Sequence, residues 1–367
     1  MSTMPIPKKH LQRIVPYPPG KSLEEVKKEL RITGKIIKLN SNENPLGPSP
    51  KVLSALKEHL PQINLYPQAS YFTLKEAIAK RCSVFPTQVV LGNGSNEVIE
   101  FVFKAYLSEG DEIIVSKPSF LMYEKFAQIY GVSVKEVPLT KELKHDLKGI
   151  IKALSSKIKA IFLDHPHNPT GSTLSREEWD EFLEKLEDDV LLVIDEAYGE
   201  FIDDPSVPRG LEFLKKRKAT LILRTFSKAY GLAGLRLGYG LASEEIANAL
   251  EKVRQPFNVN ALAVIAGLAA LEDGEYLRKT IDLTLQGRKY LTEILTKFGF
   301  RVHPSQANFI MVDFGEKCDA IYQELLRRGI LLRPLKAYGF TTCLRITIGL
   351  PEENEVLISN LREILKL

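Results

Sequence analysis

The chain has 367 residues, enough for two folding units around a large core. Its 50 lysines and arginines nearly balance its 46 aspartates and glutamates, and the charges are scattered, so no basic stripe points to nucleic acid. Hydrophobic residues make up 44% and charged residues 26%, which excludes a disordered, collagen-like or coiled-coil chain. We therefore expect a soluble globular protein.

The N-terminal segment MSTMPIPKKHLQRIVPYPPG places prolines and charges where a secretory signal needs an uninterrupted apolar core, so we expect no export. The longest apolar run, Ala261–Leu271, has 11 residues, far fewer than the roughly 20 that span a bilayer. Cys82, Cys318 and Cys343 lie far apart without a Cys-x-x-Cys pair, which predicts neither a disulfide framework nor a zinc site. We expect a cytoplasmic protein with no membrane contact and no metal ligand set.

Short apolar runs bounded by turn residues predict strands, and segments of helical period separate most of them. We expect strands near Val89 and over residues 112–115, 160–163, 190–194, 221–223 and 237–241. Helices are expected over residues 96–107, 176–186 and 244–253. This alternation predicts an α/β domain whose largely parallel sheet is covered on both faces.

The pattern changes near residue 275, where one long helical stretch over residues 276–298 begins. Strand-like segments follow at residues 308–312, 330–333 and 344–348, with a helix between the first two. The first 40 or so residues are rich in proline and lysine and end in the turn-dense run NSNENPLGPSP. We therefore predict an N-terminal arm (1–45), a large domain (46–274) and a small α+β domain (275–367).

The strongest local signal is RTFSKAYGLAGLRLGYG, in which a predicted strand enters a loop of small residues carrying Ser227, Lys228 and Arg236. Lysine forms Schiff bases with carbonyl groups, and the serine and arginine can hold a phosphate through charge-assisted hydrogen bonds. On this segment alone, a loop lysine that only contacts solvent is the structural alternative.

A second segment, VLLVIDEAYGEF, is an apolar strand that ends at Asp195, with Tyr198 just beyond it. The carboxyl ends of parallel strands face the usual ligand crevice. There the aspartate can pair with a protonated pyridine nitrogen, and the tyrosine hydroxyl can reach a ring oxygen. A helix-capping aspartate beside a packing tyrosine is the structural alternative.

Two further turns follow predicted strands. In IFLDHPHNPTG the amide side chain of Asn168 precedes Pro169, and in VVLGNGSNEVIEF Gly92 and Gly94 lead into a helix that starts at Ser95. Exposed backbone amides at a helix start bind phosphate. A glycine at such a connection can also serve the backbone alone.

Five motifs follow one another in the order GNGSNE, KPSF, HNPTG, DEAY and SKAYGLAGLR. Together they resemble the pyridoxal-phosphate aminotransferases of the aspartate aminotransferase superfamily, fold type I. The flanking segments resemble one family of this superfamily, the histidinol-phosphate aminotransferases. These segments are PYPPGKS, LNSNENPLGPSP, NLYPQASY, ILLRPL and CLRITIGLPEEN. The resemblance covers nearly the whole chain. It implies a large domain with a mostly parallel seven-stranded sheet sandwiched by helices. It also implies a smaller α+β domain, built from the C-terminal segment and an arm that packs against a dimer partner.

The resemblance implies a role for each motif residue. Lys228 resembles the lysine that forms a Schiff base with pyridoxal 5'-phosphate, and Asp195 resembles the partner of the ring nitrogen. Tyr198 and Asn168 resemble the contacts to the ring hydroxyl, and Asn168 also faces the substrate. The implied catalytic residues are Lys228, Asp195 and Tyr198.

The remaining cofactor contacts come from the same resemblance. Phe120 is expected to stack on the ring, with its neighbour Tyr123 as the competing candidate. The Asn168–Pro169 peptide bond is expected to be cis, as a sign of a positioned turn. The phosphate is expected to lie among residues of one subunit, with one tyrosine reaching across from the second: Gly94, Ser95, Asn96, Ser227, Arg236 and, across the dimer, Tyr66.

Substrate anions are implied to bind Arg345, in CLRITIG, and Arg333 together with Tyr17. Arginine suits this task because its planar fork binds carboxylate or phosphate through two hydrogen bonds. A surface ion pair is the alternative for Arg333. His165 and His167 lie outside the implied set, and we interpret them as structural or supporting residues.

The implied reaction interconverts imidazole acetol phosphate plus L-glutamate and L-histidinol phosphate plus 2-oxoglutarate, in histidine biosynthesis. Threonine-phosphate decarboxylation and aromatic amino-acid transamination on the same fold stay open, because a fold does not determine a function. A cofactor-binding regulator without turnover is an alternative of another class. The near-neutral charge balance argues against the DNA-binding form of such a regulator.

Overall fold

The computed structural model describes residues 4–14 and 36–367, and the predicted site residue Tyr17 lies outside these ranges. The strands of the described part form three sheets. In chain order they are β1 (Ile37–Lys38), β2 (Val89–Asn93), β3 (Glu112–Lys117), β4 (Ser133–Pro138), β5 (Ile158–Asp164), β6 (Leu191–Asp195), β7 (Thr220–Thr225), β8 (Leu237–Ala242), β9 (Arg301–His303), β10 (Phe309–Asp313), β11 (Ile330–Leu331), β12 (Arg333–Pro334) and β13 (Cys343–Thr347).

Helices pack on the faces of these sheets. The α-helices of the described residues are α1 (Pro50–His59), α2 (Phe72–Cys82), α3 (Ser95–Tyr106), α4 (Leu121–Tyr130), α5 (Leu147–Ala153), α6 (Arg176–Lys185), α7 (Gly210–Lys216), α8 (Glu244–Val253), α9 (Ala261–Leu271), α10 (Gly274–Lys297), α11 (Cys318–Arg327) and α12 (Pro351–Leu365).

Seven strands form one mostly parallel sheet in the order β2–β8–β7–β6–β5–β3–β4. Only β8 runs against its neighbours, β2 and β7. Helices cover both faces, so a central strand must be apolar on both sides. In β6, Leu192 and Ile194 join one core, while Leu191 and Val193 join the core on the opposite face. The predicted α/β class and the seven-stranded sheet are confirmed.

The two-residue strand β1 was not predicted from the sequence, nor were β4 and β9. In the edge strand β4, only Val137 is fully buried, so the continuous apolar run that marks a buried strand is missing. Strand β9 has three residues, and only His303 is buried. Both strands are defined by their pairing with β3 and β10, which no local pattern shows.

A smaller α+β unit contains the four-stranded antiparallel sheet β12–β13–β10–β9. Leu291, Leu325 and Leu357, from the helices α10, α11 and α12, share its core with the strands. Strand β1 pairs in parallel with β11, so the segment that precedes the large domain joins this unit. The boundaries at residues 45 and 274 stay predictions.

The apolar run Ala261–Leu271 forms α9, which packs against α1. Across residues 4–14 and 36–367, no helix has both the length and the apolar character that a membrane crossing requires. Cys82, Cys318 and Cys343 are free thiols, and all three are buried.

Trp179 on α6 is expected to be the most costly core position to truncate. It is fully buried, and its ring packs against His165 and Phe213 with centroid distances of 5.4 and 4.7 Å. Trp179→Ala opens a cavity in the core, so we expect the free energy of unfolding to fall by about 3–5 kcal/mol. Urea denaturation followed by circular dichroism measures this. Val356→Ala, on an exposed part of α12, is the control, and an equal loss in both variants would contradict the prediction.

Candidate functional site

A cavity of about 230 Å³ opens at the carboxyl ends of β5, β6 and β7, beside the first turn of α3. Parallel sheets bind their ligands at this edge. Most of the residues predicted from the sequence line it: Ser95, Asn96, Phe120, Asn168, Asp195, Tyr198, Ser227, Lys228 and Arg236. The structure therefore brings together side chains that lie more than a hundred positions apart in the chain.

One end of the cavity is built for an anion. Gly94 caps α3 with a φ of 77°, and a Cβ at this position would lie 2.4 Å from Nη2 of Arg236. Only glycine therefore lets the guanidinium approach the start of the helix. Arg236 Nη1 donates to Ser227 Oγ at 3.3 Å. Helix-start amides, a guanidinium and a hydroxyl are the donors that bind phosphate.

Lys228 follows β7 and reaches the middle of the cavity. Its Nζ donates to the carbonyl oxygen of Ser41 at 3.2 Å and lies 5.7 Å from the centre of the Tyr198 ring. Burial disfavours the charged ammonium group, and the nearby Arg345 guanidinium adds repulsion, so the pKa of Lys228 falls to about 8. An amine that is partly neutral near physiological pH can attack a carbonyl carbon.

Asp195 ends β6, the strand next to β7, and also lines the cavity. Its Oδ1 accepts a hydrogen bond from the backbone N–H of Ala197 at 3.0 Å, and its Oδ2 accepts one from the Tyr123 hydroxyl at 3.1 Å. Burial raises the pKa of Asp195 to about 7, and the neighbouring Asp164 carboxyl adds to the rise. A carboxyl group held in this way suits a ligand nitrogen that carries a proton.

The two aromatic candidates occupy different positions. Phe120 lines the cavity, whereas Tyr123 is fully buried behind it and meets the Phe120 ring edge-on at 5.5 Å. Tyr123 is instead engaged with Asp195. The geometry therefore favours Phe120 as the residue that faces a ligand ring.

Arg345 on β13 reaches from the small sheet to the strand ends of the large one. Its Nη1 donates to Oδ1 of Asn168 at 2.5 Å, and its Nη2 donates to the carbonyl oxygen of Asn40 at 3.0 Å. The guanidinium also lies 5.1 Å from the centre of the Phe309 ring. These contacts orient the planar group before any ligand arrives.

The expectation of a cis bond at Asn168–Pro169 is wrong. The cis peptide bonds of the described residues are Lys117–Pro118 and His165–Pro166. After the second of them, the chain turns through a hydrogen bond from Gly171 N to His167 O at 2.7 Å, with a trans bond at Asn168–Pro169. The sequence pattern therefore predicted the turn, but it assigned the cis conformation to the wrong peptide bond.

Four of the predicted residues that the structure describes do not line this cavity: Gly94, Arg345, Tyr66 and Arg333. Tyr66 is 82% exposed, and its ring stacks on Phe257 at a centroid distance of 4.6 Å. Arg333 on β12 is partly buried and is paired in register with Arg345, so the two side chains leave the small sheet on the same face. Tyr17 lies outside the described residues.

Sequence reasoning missed Asp164, Ser41 and Glu43, which also line the cavity. Asp164 ends β5 as Asp195 ends β6, so the rule that selected Asp195 could have found it. Ser41 and Glu43 lie in the turn-dense run NSNENPLGPSP, and no periodicity distinguishes them from its other polar residues.

The same run ties the two units together at Asn42, which is buried and has a φ of 54°. Its Nδ2 donates to the Tyr198 hydroxyl at 3.0 Å, and its Oδ1 accepts from Thr347 Oγ1 at 3.0 Å. Asn308 Nδ2 donates to the carbonyl oxygen of Asn42 at 3.1 Å. One residue thus links the cavity to two strand regions of the small sheet.

Two histidines lie behind the cavity, near Asp164. The polar atoms of His145, His167 and Asp164 lie within 4.8 Å of one another. Each ring nitrogen lies 2.6–2.9 Å from a hydrogen-bond partner. The partners of His145 are Asp164 O and Ser116 Oγ, and those of His167 are Pro118 O and Thr170 Oγ1. Burial lowers the pKa of both histidines to about 4, so they are neutral and support the turn.

The chain is similar to several characterised proteins. A family model for aminotransferase class I and II matches residues 34–361. Histidinol-phosphate aminotransferase 2 of Pseudomonas fluorescens is 45% identical over 356 residues, which cover 97% of this chain and 96% of that protein.

Solved structures show the same likeness. The crystal structure of histidinol-phosphate aminotransferase from Sinorhizobium meliloti, in complex with pyridoxal-5'-phosphate, matches with a TM-score of 0.89 at 27% identity, over 100% of this chain and 99% of that one. L-threonine-O-3-phosphate decarboxylase from Porphyromonas gingivalis matches with a TM-score of 0.76 at 27% identity, over 90% of this chain and 100% of that one.

Proposed function

Because the chain belongs to the aminotransferase class I and II family, we propose that it interconverts imidazole acetol phosphate plus L-glutamate and L-histidinol phosphate plus 2-oxoglutarate, a step of histidine biosynthesis. The observation that carries the proposal is the 45% identity to the Pseudomonas fluorescens histidinol-phosphate aminotransferase over nearly the full length of both chains. The cavity supports this proposal. It is lined by the partly neutral Lys228, the protonatable Asp195 and the anion-binding side chains of Ser227 and Arg236, and Arg345 contacts its lining residue Asn168.

The residues of the cavity fit pyridoxal 5'-phosphate. The cradle between Gly94 and Arg236, which a Cβ at Gly94 would fill, lies where a phosphate group would sit. When bound, this cofactor supplies an aldehyde that takes up an amino group and a ring that accepts electrons. Phe120 would face the ring. The phosphate would be held by Gly94, Ser95, Asn96, Ser227 and Arg236, together with Tyr66 of a second subunit.

The protein side of the reaction follows from three groups. Lys228 Nζ, with its lowered pKa, can bond to a carbonyl carbon and, once released, can accept and return the proton of the substrate carbon. Asp195 would hold a proton at the ring nitrogen, and its contacts to Tyr123 and Ala197 fix the orientation of its carboxyl group. The Tyr198 hydroxyl and the Asn168 amide would contact the ring oxygen.

Arginines would bind the anionic ends of the substrates. Arg345 is already oriented by Asn168 and Asn40, which supports its role as the carboxylate site. Arg333 leaves the sheet on the same face, which supports a second anion site next to the first. Tyr17 is the third member of this set and stays a prediction from the sequence.

The decisive experiment adds L-histidinol phosphate alone to the cofactor-loaded protein and records the absorption spectrum. We expect the aldehyde form of the cofactor to be replaced by its amine form, because the substrate gives up its amino group. Glutamate should cause the same change. A response to glutamate or phenylalanine without one to histidinol phosphate would assign another aminotransferase activity. Release of carbon dioxide from L-threonine O-3-phosphate would instead assign decarboxylation.

Gly94→Ala is expected to weaken cofactor binding by at least about tenfold. The alanine must adopt a positive φ, and its Cβ would displace the Arg236 guanidinium from the cradle. Fluorescence titration of the cofactor-free protein with pyridoxal 5'-phosphate gives the affinity. Gly110→Ala is the matched control, since Gly110 also has a positive φ but a Cβ there meets no atom within 4 Å. Equal affinities in the two variants would remove Gly94 from the phosphate site.

We also propose a homodimer in which Tyr66 completes the partner's cavity. The exposure of Tyr66 supports this, because the side chain is free to meet a second chain. Mixing Tyr66→Ala and Lys228→Ala chains, each weakly active alone at limiting cofactor, should restore activity. One site of the mixed dimer then has both native residues. If Tyr66 served its own chain, both sites of the mixed dimer would be defective and no activity would return.

A cytoplasmic location is part of the proposal. The three free, buried thiols Cys82, Cys318 and Cys343 support it. Such thiols are typical of proteins from reducing compartments.

A further inference from the structure

Asp164 has no assigned role, although it lies at the centre of the site. It ends β5 in register with Asp195, which ends β6, so the two carboxyl groups start from neighbouring strand ends. Both residues line the cavity, and they are only 3% and 5% exposed. Two buried carboxyl groups thus lie close to the position at which a ring nitrogen would bind.

The contacts of Asp164 leave one of its oxygens without a partner. Oδ2 accepts a hydrogen bond from the backbone N–H of Asn168 at 2.6 Å. Oδ1 is buried, lies 3.8 Å from His145 Nε2, and has no hydrogen-bond partner among the described residues. Because burying an unpaired carboxylate is costly, this environment favours a proton on the acid.

His145 does not supply a compensating positive charge. Its Nε2 lies 2.8 Å from the backbone carbonyl oxygen of Asp164, which can only accept, so Nε2 carries the hydrogen. Its Nδ1 lies 2.6 Å from Ser116 Oγ, and burial lowers the pKa of His145 to about 4, so the ring is neutral. Asp164 is therefore flanked by a neutral imidazole on one side and by Asp195 on the other.

Burial raises the pKa of both acids, and the charge of Asp164 raises the pKa of Asp195 further. Two interacting carboxyl groups lose their protons as a pair, one after the other. Among the described residues, the other titratable or charged groups near the pair are Tyr123, His145, His167, Glu196, Tyr198 and Lys228.

We propose that Asp164 is a positioning residue that acts through Asp195, with which it shares one proton at the end of the sheet, while its Oδ2 fixes the backbone of Asn168. The inference rests on the proposed cofactor site. A bound pyridine nitrogen would take up this proton, so that one carboxyl O–H bond breaks and one N–H bond forms. Asp164 and Asp195 would then both be carboxylates beside the new positive charge, and no other reactant is needed.

The test is the Asp164→Asn variant of the full chain, measured without cofactor. Asparagine keeps the size and can still accept from Asn168 N, but it carries no charge. Carbon-13 NMR of the aspartate carboxyl carbons over pH 4–9 should show two coupled titrations in the native protein, both well above the usual value of about 3.9. In the variant, one of them disappears and the midpoint of Asp195 falls by about one pH unit or more.

Asp146→Asn is the matched control, because Asp146 only caps α5 through Gly149 N and lies outside the pair. It should leave both titrations unchanged. An unaltered midpoint of Asp195 in Asp164→Asn would overturn the proposal. If that variant does not fold, Asp195→Asn replaces it. Since coupling between two sites is reciprocal, the midpoint of Asp164 should then fall by the same amount, and an unchanged midpoint would overturn the proposal equally.

The pH dependence of stability gives a second readout. An acid whose pKa is raised by folding binds more protons in the native state, so its contribution is present at low pH and is lost as pH rises through the folded pKa. The unfolding free energy of Asp164→Asn should therefore fall less between pH 4 and 8 than that of the native protein. An identical pH profile would contradict the shared proton. Neither measurement uses a substrate, so the reaction assignment can fail independently.

Discussion

Lys228→Ala is expected to lower kcat for amino transfer by at least about 10³-fold, with no change in fold. The variant loses both the nucleophile and the group that moves the proton, and acid–base catalysis alone contributes about 10²–10⁴-fold. Among the described residues that line the cavity, Lys228 has no replacement amine, because the other cations there or nearby, Arg236 and Arg345, are guanidinium groups that stay protonated. Steady-state kinetics with histidinol phosphate and 2-oxoglutarate measures the loss.

The control is Lys185→Ala, which removes an exposed lysine from α6 and should keep full activity. Mass spectrometry after borohydride reduction gives a second readout, since the cofactor should be fixed covalently to the native chain and to Lys185→Ala but not to Lys228→Ala. If Lys228→Ala retained native kcat, the lysine would have no part in the reaction.

Arg345→Lys is expected to reduce kcat/KM for glutamate by about 10²-fold. Lysine keeps the charge but not the planar fork, and one hydrogen bond to a charged group is worth about 1.5–3 kcal/mol. The loss extends to Asn168, whose Oδ1 accepts from Arg345 Nη1 at 2.5 Å. Kinetics at varied glutamate concentration should show the effect mainly in KM. Arg327→Lys, an exposed change on α11, should leave kcat/KM within about twofold of the native value. A similar value in Arg345→Lys would place the carboxylate site elsewhere.

The large sheet could be predicted because its strands bury both faces and therefore read as continuous apolar runs. Asp195 and Lys228 stood out for the same reason, since each follows such a run. Strand β4 gave no signal because an edge strand with one fully buried residue resembles a loop. The neighbouring pattern at Asp164 was available but was overlooked.

Other features depend on contacts that no local pattern contains. Arg345 meets Asn168 across 177 positions, and only the family resemblance connected the two. The cis bond was expected at Asn168–Pro169 and lies at His165–Pro166, since both prolines fit the same turn motif. Tyr66 does not reach the cavity of its own chain, so its role depends on a second subunit.

The long-range hydrogen bonds of Asn42 bear on the order in which the parts of the site form during folding. Asn42 is joined to Thr347 across 305 positions and to Tyr198 across 156. Contacts between such distant positions close large loops and form late, because the chain entropy is lost before the contact can repay it. The large sheet can collapse as soon as its own strands are made. The wall that carries Ser41 and Glu43 also depends on β13, which lies about 300 positions further along the chain. We therefore expect the pocket to be completed after the large sheet, and a chain cut before β13 to lack the contact that holds this wall in place.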